Sequence, residues 1–295
     1  MSFDNAYEAV SEANDEARWA FGTGFEDPLS GVDTSLPSGV DGDDLAAYCL
    51  MLGDDALIMS HRLQQWCTRA PELEDEVALA NIGLDLLGQA RLLLTRAAKA
   101  EGSGRSEDSL ASFRDEHEFR NVRLAELSTH DTADFAGVIA QLLVFSTWRL
   151  ALLQRLTDSR DPVLAAIAAK GVKEVTYHRD YAAQWTVRLG DGTDYSHQRM
   201  QSALDDLWPY VGELFESHSV VERLPDIAVE PSELRVEFDD VLTQVCSAAT
   251  LTVPDAPARA GVSGRTGRDG VHTEAMGYLL SEMQSVARAH PEATW

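Results

Sequence analysis

The stretch Leu79-Ala-Asn-Ile-Gly-Leu-Asp-Leu-Leu-Gly-Gln-Ala-Arg-Leu-Leu-Leu94 decides the fold. It is apolar on almost every side of a helical repeat, yet it carries Asp85 in its middle. A helix of that kind reads as buried, and a buried carboxylate is costly unless something pairs with it. The surrounding pattern predicts a helix over residues 72–100, closed by Gly102 and Gly104. Asp161-Pro162 is a second helix-start signal, and the helix it opens should run over 162–189 and stop at Gly190-Asp-Gly192. The stripe Leu164, Ala168, Gly171, Val175, His178, Ala182, Trp185 turns His178 inward, with Glu174 one turn before it.

Two more long helices flank these. Residues 44–68 put Tyr48, Leu52, Ala56, Met59, Leu63 and Trp66 on one stripe at spacings of three and four. Residues 132–157 form a largely apolar helix with Gln141 inside it. Shorter helices are predicted over 108–127, from Ser196 to Glu216 with a kink at Pro209, over 232–249 and over 273–289. Val253–Gly270 is rich in Gly, Pro and Arg and reads as a long loop. No strand-period segment emerges. The fold class is all-α, a bundle of four long helices with peripheral helices over residues 44–295. Residues 1–43, acidic and interrupted by Gly and Pro, read as a disordered N-terminal extension.

Composition narrows the function. The formal net charge of −25 disfavours nucleic acid and anionic membrane surfaces as partners. No apolar run approaches the ~20 residues that span a bilayer, and the acidic N-terminus is no secretory signal, so a cytoplasmic location is expected. Cys49, Cys67 and Cys246 are far apart and form no C-x-x-C, which leaves neither a disulfide framework nor a zinc site. Gly261-x-x-Gly264-x-x-Gly267-x-x-Gly270 lacks the spacing and the preceding strand of a phosphate loop. Lys99, Lys170 and Lys173 are the only lysines. An acidic, lysine-poor surface resembles that of halophile proteins. An acidic protein from a GC-rich genome has the same look.

Facing carboxylates and histidines in a helical bundle are the raw material of di-iron carboxylate proteins. A complete site needs a Glu from each of two helices and a Glu-x-x-His from each of the other two. This chain contains no Glu-x-x-His. Asp-x-x-His occurs as Asp194/His197 and Asp269/His272, both beside Gly-containing segments. Three residues after Glu174 stands Tyr177, and three after Asp85 stands Gly88. Asp85 and His178 therefore read as core residues that pair by hydrogen bonding, with Glu174 or a tyrosine hydroxyl nearby. Glu174 has Lys170 within reach along its own helix. Asp55 is expected to meet Arg62 or to be solvated, and His61 to lie at the surface. Asp55, Asp85, Glu174, Tyr177 and His178 are the candidate remnant of a metal site, with no catalytic, metal-binding or cofactor-binding residue expected.

Several segments resemble the PaaC subunit of the phenylacetyl-CoA ring-1,2-epoxidases, in the PaaA/PaaC family. They are Leu52-Gly-Asp-Asp-Ala-Leu-Ile58, Ala70-Pro-Glu-Leu-Glu74, Leu79 to Arg91, Phe113-Arg-Asp-Glu116 and Lys173-Glu-Val-Thr-Tyr-His178. Arg188-Leu-Gly-Asp-Gly-Thr193, Leu207-Trp-Pro-Tyr210, Glu213-Leu-Phe215, Gly270-Val-His-Thr-Glu274 and Ser281-Glu-Met-Gln284 follow in order. The resemblance spans about residues 45–295. It implies a ferritin-like fold and a multicomponent oxygenase of aerobic phenylacetate catabolism. In that family the paralogous PaaA subunit holds the di-iron centre, and a reductase brings electrons through NADPH, flavin and iron–sulfur. PaaC is implied to be a non-catalytic partner without cofactors of its own. Rival readings are an independent di-iron oxidase built on Asp85, Glu174 and His178, and a metal-free ferritin-like binding protein.

With 49 acidic against 24 basic side chains, self-repulsion is poorly screened at low ionic strength. Melting temperature, followed by circular dichroism, should rise steeply with salt into the molar range. A melting temperature indifferent to salt would remove the halophile reading.

Overall fold

A computed structural model describes residues 29–128 and 134–293. Among these residues the regular structure is helical, with one isolated bridge between Val262 and Arg265. Four long helices make the frame: α1 (Gly42–Gln64), α2 (Leu73–Glu101), α3 (Phe135–Leu156) and α4 (Pro162–Gly190). Three of the four starts have a side-chain cap. Asp41, Asp134 and Asp161 accept backbone N–H groups at the heads of α1, α3 and α4. Gly102 closes α2 in the left-handed region, at φ 64°.

The ends fix the topology. Phe135, at the start of α3, packs edge-on against Trp66 beyond the end of α1 and against Trp185 near the end of α4. Trp185 and Tyr181 both donate to Asp75 at the start of α2, at 3.0 and 2.9 Å. Hence α2 and α3 run parallel, and α1 and α4 run against them. At the opposite end Arg96 of α2 forms a buried ion pair with Asp161, the cap of α4. Arg96 also donates to the carbonyls of Thr34 and Ser35, and Arg160 donates to Ser38. Residues 29–41 are thereby tied to the bundle. The rest of the expected acidic extension, residues 1–28, lies outside the described residues.

Core position is distributed differently from the sequence expectation. The most enclosed helices are α1 and α3, buried on nearly every side. Helix α2 is one-sided: Asn81 and Leu84 face solvent. Both α2 and α3 are long and apolar enough to cross a membrane, contrary to the expectation from uninterrupted runs. Neighbouring helices bury the most apolar stretch of α3 completely, whereas only 44% of the corresponding stretch of α2 is buried.

The predicted helix over 108–127 does not form as one piece. It breaks into Glu107–Ser112, a 3-10 turn at Glu116–Glu118, and Arg123–Glu126. The reason lies in α1. Asp54 and Asp55 are fully buried and capture the groups that a continuous helix would keep. The Arg120 and Val122 amides donate to Asp54 and Asp55, each at 2.8 Å. Arg114 adds a buried ion pair to Asp54, and its guanidinium lies 4.1 Å from the centre of the Phe119 ring. Residues 102–128 thus belong to a long crossover held along the bundle.

Three further helices, α5 (Asp194–Leu207), α6 (Arg235–Ala248) and α7 (Glu274–Met283), are shorter than predicted, and a separate short helix at Ser285–Ala289 takes up the rest of the span expected over 273–289. Thr193, not Ser196, caps α5, and Ser196 reciprocates as the third residue of a capping box. Pro209 falls within a 3-10 turn that ends α5 early. The loop 253–270 is anchored by Arg268, which reaches Asp55 at 2.8 Å, and by the Gly267 amide on Glu213 at 3.0 Å.

Asp54 therefore supports the crossover directly. Asp54→Ala should lower unfolding free energy by about 3–5 kcal/mol, because it orphans the buried Arg114. Urea denaturation reads the loss. A change within 1 kcal/mol or so would show that Arg114 finds another partner.

Candidate functional site

Midway along the bundle the four long helices converge on a polar layer. Its centre is Arg149 of α3, whose side chain is completely buried. Arg149 Nε donates to Gln89 Oε1 of α2 at 3.0 Å, and Nη1 donates to the Leu52 carbonyl of α1 at 3.3 Å. Gln89 Nε2 passes the contact on to Glu174 Oε2 of α4 at 2.9 Å. The other Glu174 oxygen pairs with Lys170. A glycine allows this approach: a β-carbon at Gly171 would stand 2.9 Å from Leu153 Cδ1 and 3.4 Å from the Gln89 amide carbon. Burial pulls the Arg149 pKa down to about 10, against the attraction of Asp55. The group remains a cation at neutral pH. Burial likewise pushes the Asp55 carboxyl upward, with Arg268, Arg149 and the Val122 amide opposing.

The Asp85–His178 pairing expected from the sequence is present, with His178 Nε2 3.0 Å from Asp85 Oδ2. Its setting differs from the expectation. His178 is 1% exposed, but the Asp85 side chain is 39% exposed, so the pair closes the α2/α4 groove instead of sitting in the core. Glu174 is adjacent, as expected, and engages Gln89 and Lys170. Tyr177 faces solvent and only sets its ring edge against His178, with centroids 6.4 Å apart. Asp55 neither meets Arg62 nor is solvated. It is fully buried on Arg268 and the crossover. Arg62 instead donates to the carbonyls of Glu126 and Ala275. His61 is partly buried, with Nδ1 2.9 Å from the Leu57 carbonyl, and burial lowers its pKa.

Sequence reasoning misses Arg149 and Gln89, although an arginine in mid-run of the apolar helix Phe135–Leu156 is a signal. It misses a second buried group as well. His272 presents Nδ1 to Glu126 Oε2 at 2.8 Å and Nε2 to the Phe119 carbonyl at 3.2 Å. The Glu126 carboxylate and the Phe119 carbonyl are both acceptors and favour the protonated ring. Burial opposes that charge, but Glu126 and the Phe119 carbonyl overcome it and raise the pKa. The histidine of the other Asp-x-x-His, His197, lies against the Gly190 carbonyl. Among the described residues, no three His, Cys, Asp or Glu side chains converge closely enough to hold a metal ion.

A helical bundle whose polar layer is occupied by its own arginine, amide and carboxylates is a packed helical protein with a sealed centre. Comparison with known proteins makes the class specific. Residues 34–295 match the model of the PaaA/PaaC family, described as phenylacetic acid catabolic protein, and the chain belongs to this family. It is similar to the component designated C in the 1,2-phenylacetyl-CoA epoxidase of Escherichia coli (strain K12). The two are 46% identical over 254 residues, which cover 85% of this chain and 99% of that relative.

The half-exposed Asp85 makes its pairing with His178 a modest one. A double-mutant cycle with Asp85→Leu and His178→Leu should give a coupling of about 0.5–2 kcal/mol in denaturant unfolding. Strictly additive losses would mean that the two side chains are not partners.

Proposed function

We propose that this chain is the PaaC component of a phenylacetyl-CoA 1,2-epoxidase, a non-catalytic subunit that supports the di-iron PaaA component of the same complex. The family and the epoxidase relative support the complex. The order of connections supports a ferritin-like bundle: short links at 65–72 and 157–161, and one long crossover between Glu101 and Phe135.

The observation that carries the non-catalytic role is Arg149. Ferritin-like di-iron bundles turn their carboxylates and histidines inward, onto metal between the four helices. In this bundle a buried guanidinium lies among the helices instead and touches α1 and α2 directly. A fixed cation repels metal cations, and it supplies the positive charge that the neighbouring carboxylates require. The donor set does not fit a di-iron centre either. Glu174 is engaged by Gln89 and Lys170, and Asp55 by Arg268. No oxygen chemistry is routed through this chain. Redox chemistry falls to PaaA and to the reductase of the complex, and the assembly is cytoplasmic in this reading.

The test has two arms. Loaded anaerobically with ferrous iron and desalted, the isolated chain should retain iron far below stoichiometry by elemental analysis. Mixed with PaaA and the reductase, it should be required for ring epoxidation of phenylacetyl-CoA. A tightly held iron pair in this chain, or full epoxidation without it, would contradict the reading.

A further inference from the structure

His272 and Glu126 form a buried pair that the proposed function does not use. Both side chains are fully enclosed, at 0% exposure. The pair joins two parts of the chain that are remote in sequence, the end of the crossover and the start of α7. Nδ1 of His272 lies 2.8 Å from Glu126 Oε2, and Nε2 lies 3.2 Å from the Phe119 carbonyl. A neutral ring donates from one nitrogen only, so the charged ring alone makes both bonds. The Thr273 amide and Asn121 Nδ2 also donate to the Glu126 carboxylate, at 2.5 and 2.9 Å.

The backbone around the pair is clamped close. A β-carbon at Gly270 would stand 2.0 Å from the His117 carbonyl oxygen, and one at Gly267 2.1 Å from that of Asn121. Gly270 also takes the left-handed conformation, at φ 75°. This closed arrangement is costly. Asn121 Oδ1 and Thr273 Oγ1, on the two residues that donate to Glu126, are buried without a hydrogen-bond partner among the described residues. The anchors on either side do not titrate near neutrality. Arg268 is fixed on Asp55, and Arg62 donates to the Ala275 carbonyl.

We infer that His272 is a proton-operated latch: its imidazolium fastens residues 271–276 to the crossover, and loss of the proton frees them. The charges around the ring decide when it opens. On the crossover, Glu126 touches the ring and Glu116 lies near it, and both favour the proton. Arg120 opposes it, donating to the same Phe119 carbonyl at 2.8 Å, as does Arg62 of α1 on the Glu126 carbonyl. The other neighbours are matched among themselves. Arg123 pairs with Glu213, Arg268 with Asp55, and Asp269 faces His218 at 3.4 Å. Glu118 accepts from the Asp115 amide, and Glu274 of α7 accepts from Tyr278. Burial lowers the His272 pKa, but Glu126, the Phe119 carbonyl and Glu116 together outweigh it and hold it above the ordinary 6.5. A raised folded-state pKa gives stabilisation that is complete below the unfolded value and is lost as pH rises through the folded one. The latch is therefore shut on the acid side and opens on the alkaline side.

The test follows the full chain from about pH 6 to about pH 9 by hydrogen exchange with mass spectrometry, corrected for intrinsic rates, and by nuclear magnetic resonance of the His272 ring. Protection of residues 271–276 should fall about fivefold or more as the ring titrates, since a charged hydrogen bond is about twice as strong as a neutral one. Helix α1 should keep its protection throughout. His272→Gln cannot take the proton, so it should hold residues 271–276 loose at every pH and abolish the fall. His218→Gln removes the other histidine of this region and should leave the fall in place. A parent profile flat in pH, a ring that titrates at or below 6.5, or a His272→Gln chain that retains the fall overturns the inference. Loss of the fall in His218→Gln assigns it to that histidine and overturns the inference as well. If His272→Gln does not fold, the parent alone decides: the loss of protection must share its midpoint with the ring titration, and a displaced midpoint overturns the latch.

Discussion

A carboxylate taken out of water must find a positive partner and hydrogen-bond donors, and Asp54 and Asp55 impose that demand twice in succession on a helix enclosed on nearly every side. Asp54 takes Arg114 and the Arg120 amide, and Asp55 takes the Val122 amide and Arg268. The crossover lies where these partners are needed, and the loop 253–270 folds back to deliver Arg268. Further buried charges continue the arrangement. Glu126 holds His272 through its carboxylate and accepts from Arg62 at its carbonyl, and Glu213 holds Arg123 and the Gly267 amide. The irregular parts of the chain are thus ordered by ion pairs, whereas the four long helices are ordered by apolar packing.

The same logic operates at the bundle centre with the sign reversed. There the costly group is a cation, Arg149, and the chain surrounds it with Gln89, the Leu52 carbonyl and two nearby carboxylates. One guanidinium nitrogen, Nη2, is buried without a hydrogen-bond partner. Such a group costs stability by itself.

Much of this is legible in the sequence. The caps at Asp161 and Gly102, the stripes of α1 and α4, and the meeting of Asp85 with His178 all follow from helical period and local chemistry. What escapes is long-range. Nothing within residues 108–127 announces that Asp54 and Asp55 will unwind a helical pattern from a distance of more than fifty residues in sequence. The exposure of Asp85 depends on which side of α2 the bundle covers, and α2 is apolar on both. Arg149 is visible in its apolar run, but its partners come from two other helices. Histidine spacing by itself does not announce the contacts that Arg149 makes with Gln89 and the Leu52 carbonyl.

The most direct measurement of the sealed cationic centre is the exchange behaviour of the Arg149 guanidinium. Nuclear magnetic resonance of arginine side-chain nitrogens, with Arg149→Lys to assign the signals, reads it. A guanidinium locked between Gln89 and the Leu52 carbonyl should give resolved N–H resonances that exchange with solvent orders of magnitude more slowly than those of exposed arginines. An Arg149 signal that is rotationally averaged and exchanges as fast as the surface groups would place its side chain in water and leave the centre of the bundle open.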